Sequence, residues 1–293
     1  MRGRERLVAN LGTKAKNRDF TRNNKEFWMP GYRLFTRALF SASILLAPAL
    51  AAQAQETDTP KRTRLILGPQ LSPSWPGADK FSVGPYVDLS RSPEGVPFEF
   101  EAPDESFGSP LIHSGKFAFG PAFGFIGKRT AADAGADLPK VGLSIEAGGF
   151  AQVSLTPAFR VRLEGRKGLS GHKGWVGEAS ADYIARDGDD WLFSIGPRVT
   201  FGDAKYQRAY FGVTPAASAA SGLTAYDLGG GIQSVGVTAG YLRQLGKRWG
   251  IGVYGRYDRL VGDAADSPVV RHSGSRSQPS AGIALSYTFG GGR

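Results

Sequence analysis

The stretch that decides the fold is Pro279-Ser-Ala-Gly-Ile-Ala-Leu-Ser-Tyr-Thr-Phe289. Its odd positions are apolar, and its even positions are small or polar. Because a β-strand points successive side chains to opposite faces, this segment has one apolar face and one thin, polar face. That pattern is typical of the closing strand of an outer-membrane barrel, with Tyr287 and Phe289 as its signal, and we expect it to pair with the first strand. A strand covering the core of a soluble sandwich has the same pattern.

An export signal precedes the strands. Tyr32–Arg37 is short and basic, Ala38–Leu50 is an apolar run, and Ala52-Gln53-Ala54 is an A-x-A cleavage site. This order predicts a secretory signal peptide over residues 29–54, with an apolar run too short to span a membrane. We interpret residues 1–28 as an extension from a start site placed too early; the alternative is a genuine long leader. An exported chain of this kind can enter a membrane only as a barrel.

Charge and cysteine content exclude several classes of function. Of the 36 basic and 26 acidic residues, ten and three lie in residues 1–54, so the net charge of +10 leaves only +3 for residues 55–293. No basic stripe with interleaved aromatic residues remains there, and nucleic acid is therefore not an expected partner. The sequence has no cysteine, which excludes disulfides and thiolate chemistry.

Two-faced segments recur along the chain and predict an all-β fold. In Phe159–Arg166 apolar and charged residues alternate strictly, and Arg186–Asp190 contains an Asp-Gly turn that predicts a hairpin. We expect an antiparallel transmembrane β-barrel of about 10–12 strands over residues 81–289, in outer-membrane lipid. A flexible leading segment at 55–80 and a loose tail at 290–293 flank it in this interpretation.

Two further patterns favour the membrane over a soluble sandwich. Tight turns at 187–190 and 246–248 alternate with longer loops at 91–112 and 261–278, as expected for periplasmic turns and outer loops. Aromatic residues also lie near predicted strand ends, as in interfacial girdles; they are Trp175, Trp191, Tyr210, Phe211, Trp249, Tyr257 and Tyr287. Two of them, Tyr210 and Phe211, lie in Tyr206–Thr214, which is predicted as one of the strands.

The C-terminal half also carries motifs of a known family. They are Phe201-Gly-Asp203, Tyr210-Phe-Gly-Val213, Trp249-Gly-Ile-Gly-Val-Tyr254 and, as the most specific block, Gly262-Asp263-Ala264-Ala265-Asp266-Ser267-Pro268. In this order the sequence resembles the MipA/OmpV family of outer-membrane proteins. The resemblance implies an outer-membrane barrel without a catalytic residue set. It also implies a scaffold that joins a lytic murein transglycosylase to a bifunctional penicillin-binding protein.

Two segments are candidate sites within such a barrel. The block 262–268 fits a short capped helical turn over the barrel mouth, with partner contact as its second role. The charges Arg160, Arg162, Glu164 and Arg166 share one face of a strand, and in the lumen their arginines would favour anions. We expect instead that these arginines pair with Glu164, Glu146 and Glu178, and that the paired side chains plug a narrow barrel. A narrow channel for small solutes is the alternative function.

An outer-membrane lipid hydrolase is the third hypothesis. Its chemistry needs a serine, a histidine and an orienting acid within hydrogen-bond reach. His272 and the adjacent Ser273 point to opposite faces of a strand, so the candidates are His272 with Ser275 or Ser277 and with Asp263 or Asp266. A polar loop explains these residues better. No cofactor or metal is expected, because the histidines share no ligand spacing and Asp187–Asp190 lacks the rest of a calcium-binding loop.

Overall fold

The computed structural model describes residues 60–290, which form one antiparallel sheet and five short helices. The predicted extension at 1–28, the signal peptide at 29–54 and residues 291–293 lie outside the described residues. The strands are β1 (Lys61–Pro73), β2 (Phe81–Pro93), β3 (Ile112–Ser114), β4 (Phe117–Ile126), β5 (Ser144–Thr156), β6 (Phe159–Gly168), β7 (Trp175–Asp187), β8 (Trp191–Gly202), β9 (Gly231–Gln244), β10 (Trp249–Leu260) and β11 (Ser277–Phe289). The helices are α1 (Ala131–Ala134), α2 (Ala204–Phe211), α3 (Pro215–Ser221), α4 (Gly262–Asp266) and α5 (Pro268–Ser273).

The sheet has 11 strands in the order β2-β1-β11-β10-β9-β8-β7-β6-β5-β4-β3. The last strand pairs with the first, with Tyr287 opposite Leu65 and Ala281 opposite Leu71. The all-β fold, the antiparallel pairing and the joining of first and last strands are therefore confirmed. Among residues 60–290, no ladder joins the two end strands β2 and β3 to each other.

The two faces of the sheet have opposite polarity. Its outer face exposes large apolar side chains, including Phe119, Phe123, Leu163, Ile195, Val237, Val253, Ile283 and Leu285. Its inner face buries polar and charged side chains, including Arg64, Glu146, Arg160, Arg162, Asp182, Arg198, Thr238 and Ser286. A soluble sandwich has the reverse arrangement, because burying charge and exposing apolar surface to water both cost free energy. The outer face is the lipid-facing surface of a membrane barrel.

The two ends of the barrel differ in their connections. At one end, here called the turn end, short turns at 115–116, 157–158, 188–190 and 245–248 join the strands. At the other end, longer connections carry all five helices; they are 74–80, 127–143, 169–174, 203–230 and 261–276. We call these longer connections the cap. Within residues 60–290, none of the helices has the length and apolar character needed to cross a membrane.

The cap has a hydrophobic core of its own. Trp75, Tyr206, Tyr210, Phe211 and Val269 are each at most 2 % exposed and pack in one cluster. Because side chains from four separate connections share this cluster, the cap is one packed unit and not a set of independent loops.

Three expectations about the elements were wrong. Residues 61–73 form the full strand β1, paired along its length with β2, so the barrel begins before residue 81. Tyr206–Thr214 is mostly helical, because Asp203 caps α2 by accepting from the Tyr206 N–H at 2.7 Å and Tyr206 and Tyr210 lie one turn apart on its buried face. Tyr210 and Phe211 therefore belong to the cap core, not to an aromatic girdle.

The third wrong expectation is the outer loop predicted at 91–112. Residues 94–111 begin at the turn end of the barrel, whereas an outer loop begins at the cap. The Phe98 N–H donates to Asp189 of the tight turn at 188–190 at 3.0 Å. Arg62 near the start of β1 also pairs with Asp189, at 2.8 Å. From this end the segment enters the barrel, because its acidic side chains would otherwise have no access to the inner-face arginines described below.

Candidate functional site

Residues 94–106, here called the plug segment, enter the lumen and form the centre of the candidate site. Residues 107–111 instead run along β4 at the edge of the sheet, where Phe107 pairs with Phe123. The plug segment contains Glu94, Glu99, Glu101, Asp104 and Glu105 but no lysine, arginine or histidine. Its side chains contact β1, β6, β8, β9 and β10, so the sheet wraps around it. An acidic segment therefore lies inside a wall that carries many arginines.

Asp104 accepts four hydrogen bonds from side chains of the wall. It accepts from Arg198 Nε at 2.8 Å and Nη2 at 3.1 Å, from Arg256 Nη1 at 2.8 Å, and from Thr238 Oγ1 at 2.6 Å. Burial alone would raise the pKa of Asp104, but Arg256 and Arg198 outweigh it and bring that pKa to about 2. Asp104 is therefore a carboxylate that links β8, β9 and β10 through the lumen.

Glu105 and Asp182 extend this network to β6 and β7. Glu105 forms ion pairs with Arg160 and, at 3.5 Å, with Arg162. Asp182 joins Arg160 and Arg198, each at 2.8 Å. Carboxylates of the plug segment and of the wall thus pair with the same guanidinium groups. Such pairing is needed because an unpaired charge buried in a protein costs several kcal/mol.

The four charges predicted on β6 all lie on its inner face. Arg160 and Arg162 are each 3 % exposed. Glu164 pairs with Arg162 at 2.7 Å and with Arg166, and it accepts from Ser106 of the plug segment at 2.7 Å. The structure thus places these four residues in a paired network in which every arginine has a carboxylate partner.

Toward the cap the network ends in a buried histidine. Arg166 donates to Glu146 at 2.8 Å, and Glu146 contacts His172 Nε2 at 2.8 Å. His172 Nδ1 accepts from the Gly174 N–H at 3.0 Å, so both ring nitrogens are engaged. His172 also packs against Tyr206, with ring centroids 4.8 Å apart, which ties the lumen network to the cap core.

Phe98 anchors the first part of the plug segment. Its ring lies under the guanidinium groups of Arg64, at 4.4 Å, and Arg62, at 4.7 Å. Its carbonyl accepts from Arg186 at 2.8 Å. Such cation–π contacts are worth most where water is excluded, and Phe98 is 2 % exposed.

Glu101 is the plug carboxylate with the least favourable surroundings. Burial is the main factor that raises its pKa, and the neighbouring Asp88 raises it further by charge and by a hydrogen bond. Glu101 therefore holds a proton more readily than an ordinary glutamate does.

A cavity of about 640 Å³ remains between the plug segment and the wall at the turn end. Its charged lining residues are Glu99, Lys116, Arg160 and Arg186, so basic groups outnumber acidic ones there. The cavity also reaches Gln152 and Phe100. It leaves part of the lumen open at the turn end.

The family-signature block 262–268 lies in the cap. Gly262–Asp266 forms α4, with Ala264 and Ala265 buried, and Pro268 begins α5. Ser267 is fully buried; its hydroxyl donates to the Phe211 carbonyl at 2.6 Å and accepts from the Val269 N–H at 3.1 Å. Asp266 is exposed and pairs with Arg271 and Arg276. The block thus packs against α2 in the core of the cap.

The residues considered for hydrolase chemistry are not brought together. His272 Nε2 contacts the Gly135 carbonyl at 3.3 Å, and the Ser273 hydroxyl donates to the Ala134 carbonyl. The Ser275 hydroxyl accepts from the Ser277 N–H at 3.0 Å. None of these contacts joins a serine to a histidine, and Asp266 is engaged by arginines. Among residues 60–290, no group of three acidic or histidine side chains is arranged to hold a metal ion.

The predicted closing-strand residues lie at the turn end. The Tyr287 ring contacts Trp249 and Phe289, with centroids 4.7 Å apart in both cases. Phe289 is 51 % exposed on the outer face. These rings form an aromatic group at one rim of the apolar belt.

The plug segment is the feature that sequence reasoning missed. A readable signal exists: residues 94–106 hold five acidic residues and no basic one, beside strands whose inner faces carry arginines. Alternation along strands, however, gives no information about the path of a connection.

Comparison with solved structures finds barrels of low similarity. The KdgM porin has a TM-score of 0.37 at 10% identity, covering 78% of this chain and 99% of its own. The translocator domain of autotransporter NalP from Neisseria meningitidis has a TM-score of 0.33 at 10% identity, covering 88% and 98%. The COG4313 outer membrane channel from Pseudomonas putida F1 has a TM-score of 0.33 at 10% identity, covering 80% and 97%.

No curated protein sequence matches the chain. One family model matches it over residues 65–289, from within β1 to the end of β11. That range includes the whole cap, the plug segment and the signature block. The chain therefore belongs to the family of MltA-interacting protein MipA.

Proposed function

We propose that this chain is a closed, non-catalytic outer-membrane barrel that acts as a scaffold for murein-cleaving and murein-synthesising enzymes. The observation that carries the proposal is the filled lumen, where the plug segment pairs with arginines of β6, β8 and β10. A barrel whose interior is occupied this way offers its two ends, not a pore, to other molecules. Membership in the family of MltA-interacting protein MipA supports a partner of this kind.

The turn end is the face proposed for docking. Short turns face the periplasm in outer-membrane barrels and longer connections face outward, so the cap faces outward. Murein enzymes work on the periplasmic side. The exposed Lys247 and Arg248 lie in the turn at 245–248 and are candidate contacts there.

Co-purification under mild detergent tests the scaffold. We expect the native barrel to retain a lytic transglycosylase and a bifunctional penicillin-binding protein. Lys247→Glu with Arg248→Glu is expected to reduce retention several-fold, because rim charges steer protein association. Lys140→Glu with Lys205→Glu, two exposed cap lysines, is the matched control and is expected to retain both enzymes.

Failure of the native barrel to retain either enzyme would contradict the scaffold function. Equal loss in both variant pairs would contradict docking at the turn end.

A narrow channel is the second candidate function, and the cavity of about 640 Å³ at the turn end favours it. Planar bilayer recording separates the two functions. A closed scaffold gives no steady single-channel current, whereas a channel for small solutes conducts without any change to its sequence.

A further inference from the structure

We propose that the plug segment occupies, in cis, a binding site for solutes that carry two carboxylates, and that its withdrawal opens an anion-selective path through the barrel. Asp104 and Glu105 stand in for the two carboxylates of such a solute. This inference goes beyond the scaffold function and does not depend on it.

Charge complementarity is the first argument. On strands within residues 60–290, the inner-face arginines are Arg62, Arg64, Arg160, Arg162, Arg166, Arg186, Arg198 and Arg256. The inner-face acids are Asp88, Glu146, Glu164, Glu178, Asp182 and Asp258. The arginines outnumber these acids by two, or by one when Asp189 of the turn at 188–190, the partner of Arg62 and Arg186, is included. The plug segment has five acids and no basic residue. The wall alone is therefore positive, and a positive lumen favours anions.

The contact geometry is the second argument. Asp104 accepts from both Arg198 nitrogens Nε and Nη2, a two-point arrangement that guanidinium groups make with carboxylates. Asp104 also accepts hydrogen bonds from a second guanidinium group, that of Arg256, and from the Thr238 hydroxyl. Glu105, the next residue, lies against Arg160 and Arg162. Two adjacent carboxylates thus meet two separate pairs of arginines.

The remaining cavity is the third argument. It extends from the turn end to Arg160, which pairs with Glu105, and it is lined by Lys116 and Arg186 as well. An anion entering from this end reaches the buried arginines by way of basic side chains. A solute could therefore compete with the plug segment at the Glu105 position first.

Conductance of a weakened plug tests the proposal. Asp104→Asn with Glu105→Gln keeps side-chain size and removes both charges. In planar bilayers under a KCl gradient, we expect channel openings that the native protein lacks, with a reversal potential shifted toward that of chloride. Succinate is expected to reduce this chloride current several-fold more than acetate at equal concentration.

A reversible lock identifies the plug as the gate. A Cβ built on Gly240 lies 3.0 Å from Cγ of Pro103, so Pro103→Cys with Gly240→Cys brings two thiols within disulfide reach in a chain without other cysteines. Added to the neutralised plug, the oxidised pair is expected to abolish the openings and reduction to restore them. Channel openings that persist in the oxidised form would contradict the proposal that the plug segment is the gate.

A second variant keeps the proposal testable if the neutralised plug does not fold. In it, residues 99–106 are replaced by a glycine-serine linker of equal length, and the same currents are expected. Folding of either variant is checked by its gel mobility before and after heating. A folded variant that stays closed, selects potassium, or responds equally to succinate and acetate would overturn the proposal.

Discussion

Asp104 is the residue on which the closed lumen depends most. Its partners Arg198 and Arg256 lie on different strands, so removing the carboxylate leaves two guanidinium groups with one counter-ion fewer. We expect Asp104→Ala to lower the free energy of unfolding by about 3–5 kcal/mol, as for other broken buried pairs. Urea unfolding in detergent micelles measures this, with the exposed cap variant Asp137→Ala expected to change it by less than about 0.5 kcal/mol. Equal stability of the two variants would contradict the prediction.

Glu101 makes the plug sensitive to pH. Its pKa in the folded barrel is raised by burial and by Asp88, so the folded state binds its proton more tightly than the unfolded state does. The resulting stability is complete below the ordinary glutamate pKa and is lost as pH rises through the raised value. We expect Glu101→Gln, which stays neutral, to remove this loss in urea unfolding measured across that pH window. If the Glu101→Gln variant loses stability with rising pH as the native protein does, Glu101 is not the group responsible for that loss.

At the scale of elements, the contact between β1 and β11 tolerates no side chain at Gly68. A Cβ built there would lie 2.0 Å from the Ile283 carbonyl oxygen and 2.5 Å from Ala284 Cα, both backbone atoms that cannot move aside. We expect Gly68→Val to prevent folding, detected as loss of the heat-modifiable band. Gly255→Val on β10 is the control, because Gly255 faces open space and valine suits a strand. Normal folding of the Gly68 variant would show that this contact is not needed.

How far the elements were predictable depended on which pattern each one carried. Strands such as β6 and β11 were predicted because lipid on one side and charge on the other force strict alternation, as in Phe159–Arg166. Helix α2 was missed because Tyr206 and Tyr210 also fit a strand, although Asp203 was a readable cap. The partners of Arg160 were not predictable, since pairing Glu105 with β6 depends on where a connection goes in three dimensions.

At the scale of the whole molecule, the apolar belt and the internal charges predict a barrel that resists detergent. We expect the unheated protein from the outer-membrane fraction to migrate faster in an SDS gel than the boiled protein, because its paired strands stay compact. Within residues 60–290, backbone hydrogen bonds join ten pairs of neighbouring strands, and detergent alone does not break them. The same mobility before and after boiling, or recovery in the soluble periplasmic fraction, would contradict the membrane barrel.

The pairing of β1 with β11 also has a consequence for biogenesis. Contacts at this junction join very distant residues: the Gly77 N–H donates to Gln278, 201 positions away. Loops of that length close slowly, so the hairpin of β1 and β2 must wait until the last strand has been synthesised and exported. Until then the edge of β1 that later pairs with β11 is unpaired and can join other chains. We therefore expect efficient assembly to depend on a periplasmic chaperone that shields this edge, and truncation of β11 to leave it exposed and promote aggregation.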